Sequence, residues 1–162
     1  KTMPNWCQNE ITISGDEKEV KEFIKFVSSK ESKFDFNKIY PMPKELEGTI
    51  SGSESLKSDE QKAKSELWKI EYGADNWYDW RRIHWGTKWE LDPDYVEVDD
   101  EENYITYRFD TAWSPPEGIF HALNRKFRFN KDDSLGIQWH YREDGVGFTG
   151  YLEDELGEED NA

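Results

Sequence analysis

Cysteine and long apolar runs are nearly absent from this sequence. Cys7 is the single cysteine among 162 residues, which excludes an intramolecular disulfide and a four-cysteine iron–sulfur cluster built by this chain alone. No apolar run reaches the roughly eighteen residues that a membrane-spanning helix needs, and residues 1–10 lack the apolar stretch of a secretory signal. We therefore expect a cytoplasmic protein with no membrane partner.

Signatures of catalysis are also missing. The sequence contains no G-x-S-x-G nucleophile elbow, no G-x-x-x-x-G-K-[ST] phosphate loop and no H-E-x-x-H pair. Residues 145–150 have G-x-G-x-x-G spacing, but they follow a turn and enter a strand, so the dinucleotide motif fails by context. Cys7, His84, His121 and His140 lack the spacing of zinc ligands. We expect no assigned catalytic residue, no metal and no cofactor.

Basic residues are scarce beside acidic ones, since 21 lysines and arginines stand against 36 aspartates and glutamates and give a net charge of −15. Residues 90–102 hold eight acids and residues 152–162 hold six, and neither segment has a lysine or arginine. A negative field repels phosphate backbones, so we expect a basic protein partner and no direct nucleic-acid binding. Alternatively, both segments are solvated and aid solubility. The candidate partner-binding residues are Glu97, Asp99, Asp100, Glu101, Glu102, Glu153, Asp154 and Glu155.

The pattern of the first half predicts a β-α-β opening followed by helices. Residues 10–14 alternate like a strand, Asp16 caps a helix with apolar residues at helical spacing, and residues 34–36 alternate like a second strand. Residues 46–58 are predicted to be a flexible loop. Ser58 and Gln61 then form a capping box, and the apolar positions of the helix that they open are Ala63, Leu67 and Ile70.

The second half predicts a β-β-α-β-β order. Residues 88–91 and 95–98 are predicted strand segments around Pro93, and residues 103–109 form the next strand, with residues 99–102 as the hairpin tip. Ser114, with Pro115 and Glu117, is predicted to cap a helix, and residues 134–141 and 146–152 are predicted to form a last hairpin. We expect one domain over residues 3–152 and an acidic tail over residues 153–162.

Six different short motifs follow one another along the chain. They are MPNWC at 3–7, ITISG at 11–15, PMP at 41–43, WGTKW at 85–89, TAWSPP at 111–116 and GFTGY at 147–151. In this order and spacing they resemble the YubB-type ferredoxin-like family of phage, plasmid and related mobile-element proteins. The resemblance implies an α+β fold, a ferredoxin-like α/β sandwich with a mainly antiparallel sheet and helices packed on one face. It implies no iron cluster, and it supplies no established catalytic residue to carry over.

The tryptophan-rich motifs allow two interpretations. In one, His84, Trp85, Lys88, Trp89 and Trp113 line a pocket where indoles stack on a planar ligand, Lys88 meets its phosphate and His84 is the best acid/base candidate. In the other, Trp6 joins Trp85, Trp89 and Trp113 in holding the sheet to its helices, with the indole N–H groups bound to backbone carbonyls.

Two functions follow from these patterns. The first is a non-enzymatic binding protein of a phage or other mobile element, in the cytoplasm of a bacterial host, whose acidic surface engages a basic host protein or nucleic-acid-binding complex. Carboxylates on a hairpin can imitate spaced phosphates, so such a protein could inhibit host defence as a nucleic-acid mimic. The alternative is a small-molecule or nucleotide-binding protein or enzyme that uses the tryptophan-rich pocket.

Overall fold

A five-stranded antiparallel sheet forms the centre of the molecule. The computed structural model describes residues 5–50, 57–127 and 135–153. The strands are β1 (Trp6–Gly15), β2 (Glu97–Asp100), β3 (Tyr104–Ala112), β4 (Leu135–Glu143) and β5 (Phe148–Tyr151), in the spatial order β2-β3-β1-β4-β5. The order 4-1-3-2 of the first four strands is that of a ferredoxin-like split β-α-β unit, and β5 extends the β4 edge.

Five α-helices accompany the sheet in the described part of the chain. They are α1 (Glu17–Val27), α2 (Phe36–Ile39), α3 (Asp59–Tyr72), α4 (Trp77–His84) and α5 (Glu117–Phe127), and short 3-10 turns span Lys44–Leu46 and Pro93–Tyr95. The Asp16 side chain accepts from the Lys18 amide at the start of α1, and Ser58 and Gln61 form the predicted capping box of α3. The helix starts at α1 and α3 are therefore confirmed.

One face of the sheet is buried and the other is open. Along β1 the odd residues from Cys7 to Ile13 are buried, while their even neighbours are exposed or half-buried. The buried face packs against α1 and α5 through rings such as Phe23 on Tyr107, with centroids 6.2 Å apart, and Phe120 on Trp139, at 5.8 Å. The predicted α+β sandwich with helices on one face is confirmed.

The predicted second strand at residues 34–36 is wrong. Phe34 and Phe36 are both buried, but Asp35 accepts hydrogen bonds from the amides of Asn37 and Lys38 and so caps the short helix α2. An Asp at this position satisfies free N–H groups of a first helical turn, which decides the local structure in favour of a helix. The opening is therefore strand, helix, helix.

Three other local predictions need correction. Residues 88–91 form no strand, and β2 begins at Glu97 because Pro93 opens a 3-10 turn. Helix α5 begins at Glu117, since the Ser114 hydroxyl donates to the Gly86 carbonyl. Leu67 and Ile70 of α3 are exposed, and the inward face of that helix carries Ser65, Trp68 and Tyr72.

Some predictions fall on residues that the structure does not describe. These residues are 3 and 4 of the first motif, 51–56 of the predicted loop, Ser134 at the start of the last hairpin, and 154–162 of the acidic tail. The remainder of that hairpin is confirmed as β4 and β5, with residues 144–147 as its turn.

Candidate functional site

Three of the aromatic motifs meet at one end of the sheet. Trp6 at the start of β1 pairs in register with Ala112 at the end of β3, and the Trp113 amide donates to the Asn5 carbonyl at 2.8 Å. The Thr87 hydroxyl approaches the Ala112 carbonyl at 3.5 Å and brings the 85–89 segment to the same place. Strand pairing thus joins parts of the chain that lie far apart in sequence.

Glycines let the 84–88 segment lie directly on the start of α5. Gly86 has φ +90°, and a Cβ there would lie 2.8 Å from the backbone nitrogen of Glu117. A Cβ on Gly118 would lie 1.6 Å from the backbone carbonyl oxygen of His84. Neither position accepts a side chain, so the close backbone contact fixes where Lys88 and Trp89 emerge.

Trp85 is buried and His84 is half-buried, and neither belongs to the group of exposed tryptophans. Trp85 is fully buried, and its indole N–H donates to the Tyr40 carbonyl at 2.8 Å. His84 Nε2 donates to the Tyr72 carbonyl at 2.8 Å, and its Nδ1 lies 3.0 Å from the Tyr40 hydroxyl. Both ring nitrogens of His84 have hydrogen-bond partners. Trp85 and His84 therefore pack beneath the site and do not form part of its exposed surface.

An exposed aromatic row remains, consisting of Trp6, Trp89, Lys88 and Trp113, which we call the tryptophan row. The Lys88 Nζ lies 4.4 Å from the centroid of the Trp89 ring and 4.2 Å from that of Trp113, a cation–π arrangement on both sides. Trp6 and Trp89 follow at 5.8 Å between ring centroids. The three indoles are 39–47% exposed, so they form a surface and not a core.

Reasoning from the sequence did not predict that Trp6 is exposed. Its position in β1 could have shown this, because Trp6 is the neighbour of the buried Cys7 and so points to the other face of the sheet. Of the four tryptophans predicted to join sheet and helices, Trp85 alone is fully buried.

A groove of about 600 Å³ runs from the tryptophan row along the edge of the sheet, and we call it the edge groove. β2 pairs with β3 over residues 105–108, so within the described chain the edge of residues 109–112 is left without a partner strand. Residues 89–95 form the opposite wall. The side chains that line the groove include Trp6, Trp89, Glu90, Leu91, Asp92, Tyr95 and Asp110.

The charge of the edge groove is acidic, with no lysine or arginine in its lining. Glu90 lies 3.5 Å from the Arg81 guanidinium, and Asp92 accepts from the Asp94 amide at 3.0 Å. Asp110 has no ion pair in the described parts of the chain. Burial, reinforced by the nearby Glu97, raises the pKa of the Asp110 carboxyl, as happens when a carboxylate lacks a compensating cation.

The predicted acidic hairpin does not form a single row of carboxylates. Glu97 and Asp99 pair with Arg108 and Thr106 on the open face of the sheet, whereas Asp100 pairs with the buried Ile105 and lies on the helix side. Successive residues of a strand point to opposite faces, so Asp100 is separated from Glu97 and Asp99. Glu101 and Glu102 follow at the turn, and Glu153 lies just beyond β5, while Asp154 and Glu155 are outside the described residues.

Arg108 lies at the centre of the acidic part of the open face. Its Nε donates to Glu10 at 2.9 Å, and that hydrogen bond, together with the charges of Glu10, Asp99 and Glu97, raises its pKa. One cation thus faces three carboxylates, and this part of the sheet face stays acidic.

The described residues contain no group of three or more histidines, cysteines or acids placed to hold a metal ion. They also contain no helix long and apolar enough to cross a membrane.

The strand order and the helices on one face of the sheet define a ferredoxin-like α+β domain. Residues 84–161 match the model of the family described as the ferredoxin-like domain in Api92-like protein. The whole fold is similar to the crystal structure of the protein api92 from Yersinia pseudotuberculosis, with a TM-score of 0.53, 11% sequence identity and coverage of 92% of this chain and 93% of that one. No curated protein sequence matches this chain. The structural likeness is one of fold.

Proposed function

We propose that this is a non-enzymatic binding protein whose edge groove accepts a basic segment of a partner protein. The observation that carries the proposal is the Asp110 carboxylate, which forms no ion pair with any described residue and lies in a groove walled by Trp6, Trp89 and Tyr95. Two interactions would stabilise a guanidinium or ammonium group bound there: a cation–π contact with the aromatic rings and a charge-assisted hydrogen bond to the carboxylate.

The open sheet face extends this acidic surface beyond the groove. Glu97 lies close enough to Asp110 to raise its pKa, and Asp99 follows Glu97 on the same face. A partner with several lysines or arginines would therefore meet the groove first and the carboxylates of β2 next. Such a surface steers association with basic proteins and is less effective at high salt.

We further propose that the natural partner is a nucleic-acid-binding protein of a bacterial host, met in the cytoplasm. The resemblance of the motifs to YubB-type proteins of mobile elements supports this setting. Carboxylates spaced along a strand can occupy a basic channel that is built for phosphates, so the binding would inhibit a host defence protein. The acids that serve this role are Glu97, Asp99 and Asp110, because they share one face.

The test uses fluorescein-labelled peptides of nine arginines or nine lysines, with binding followed by fluorescence anisotropy at low and high salt. We expect Asp110→Asn and Trp89→Ala each to weaken binding by about fivefold or more, the scale of a lost charged hydrogen bond or aromatic contact. Glu17→Gln is the matched control, since it removes one negative charge at an exposed residue of α1. Equal weakening by Asp110→Asn and Glu17→Gln would mean that net charge alone attracts the peptide, and the proposal would be rejected.

A further inference from the structure

A second cavity lies on the other side of the tryptophan row. It has a volume of about 530 Å³ and lies between the end of α3, the outer face of α4 and the 86–88 segment. This volume is within the range of small-molecule sites. Its charged and aromatic lining consists of Lys69, Asp75, Asp79, Arg82, Lys88 and Trp113. None of these residues lines the edge groove.

The two carboxylates of this cavity are already engaged. Asp75 accepts from the Lys57 ammonium at 3.1 Å and lies 4.0 Å from Lys69. Asp79 accepts from the Asn76 side-chain amide at 2.9 Å. In the described part of the chain, neither carboxylate forms an ion pair with Arg82 or Lys88.

Two cations of the cavity have aromatic neighbours but no carboxylate. The Arg82 guanidinium lies 5.3 Å from the centroid of the Tyr78 ring, and the Lys88 ammonium lies between Trp89 and Trp113. Neither residue forms an ion pair in the described ranges. In a chain of net charge −15, two cations on one cavity that form no ion pair with the described residues are an attractive site for an anion.

Trp113 has a backbone conformation that disfavours any side chain. Its φ is +67°, and within the described chain it is the one residue other than glycine with positive φ. This left-handed conformation costs roughly 1–2 kcal/mol for an L-residue. The indole is 47% exposed, so burial does not explain why a large side chain is held there. Such outliers occur often at ligand sites.

We propose that this cavity binds a small molecule in which a planar aromatic ring is joined to a phosphate, as in a nucleoside monophosphate. The ring stacks on the free face of Trp113, and Lys88 and Arg82 bind the phosphate. The proposal does not depend on the edge groove, because the groove takes a cation and this cavity takes an anion.

The test is a titration with adenosine 5′-monophosphate, adenosine and inorganic phosphate at constant ionic strength, followed by the indole N–H signals in NMR. We expect the monophosphate to shift the Trp113 signal saturably, and either half alone to bind at least about tenfold more weakly. Arg82→Gln and Lys88→Gln should weaken binding of the monophosphate by about tenfold while leaving that of adenosine unchanged.

Arg108→Gln is the matched control, since it removes one positive charge from the opposite face of the sheet, and we expect unchanged affinity. Arg82 is exposed on α4, so its substitution should leave the fold intact, which the remaining indole signals report. The proposal fails if none of the four common nucleoside monophosphates shifts Trp113 saturably at millimolar concentration. It also fails if Arg108→Gln weakens binding as much as Arg82→Gln does.

Discussion

Asp75 holds together the helices that frame the cavity, and replacing it with asparagine should destabilise the protein measurably. Its carboxylate accepts from Lys57 at 3.1 Å, from the Asn76 amide at 2.8 Å and from the Ser65 hydroxyl. These groups belong to the segment before α3, to the cap of α4 and to α3 itself. Asp75→Asn keeps the shape of the side chain but removes its charge.

The size of the effect follows from the pKa of this carboxyl. Burial alone would raise it, but hydrogen bonds from Ser65, Asn76 and Lys57 and the charge of Lys57 outweigh burial and lower the pKa from 3.8 to about 2. A difference of this size corresponds to about 2 kcal/mol of folding free energy at neutral pH. For a chain of this length, we expect Asp75→Asn to lower Tm by about 4–8 °C.

The dependence on pH gives the sharper test. Because the folded-state pKa lies below the unfolded value, the stabilisation is complete above about pH 5 and is lost as the pH falls through about 4 towards 2. Urea unfolding of both proteins, followed by tryptophan fluorescence, should give free energies that differ at pH 7 and converge below about pH 4.

Glu17→Gln is the matched control for this experiment as well. Glu17 is exposed and pairs with Lys21 at 2.9 Å on the surface of α1, so we expect little change in its variant. The reasoning is refuted if Asp75→Asn costs no more than Glu17→Gln at pH 7, or if its effect is the same at pH 7 and pH 3.

Three further outcomes are expected. Trp113→Gly should be more stable than Trp113→Ala by about 1 kcal/mol in urea unfolding, the reverse of the usual order, because φ +67° suits glycine; an Ala variant of equal stability would contradict the assigned strain. Gly118→Ala should lower the unfolding free energy by about 3 kcal/mol or more, because its Cβ would meet the His84 carbonyl, and a small effect in the same assay would show that the contact is loose. Burial raises the pKa of the Cys7 thiol to about 11, so a thiol-specific chromogenic reagent at pH 8 should not react with the native protein and should react with one thiol in urea.

The sequence predicted β1, β3 and α1 because their periodicities are strong, whereas α3 was predicted from its capping box and its inward face was not. β1, β3 and α1 have apolar residues at regular spacing, because residues at that spacing lie on the one face that is buried. The short segments were harder, since residues 34–36 alternate like a strand while Asp35 caps a helix. In so short a segment, one capping side chain outweighs an alternation of two rings.

The candidate site could be predicted only in part. The motifs singled out Lys88, Trp89 and Trp113, and the structure brings these three residues together at one end of the sheet. The sequence could not separate them from Trp85, which shares their motif but points into the core. The edge groove depends on where β2 stops pairing with β3, and this register is a long-range property that local patterns do not contain.

Lys88 places one ammonium group between two indoles that face different cavities, Trp89 towards the edge groove and Trp113 towards the second cavity. If both proposed sites bind their ligands, occupancy of one would change the affinity of the other through Lys88. An anion that drew the ammonium towards Trp113 would uncover the face of Trp89 for a partner's cation, and the partner would in turn raise the affinity for the anion by the same factor. On the two proposals together, Lys88 would couple the two ends of the tryptophan row.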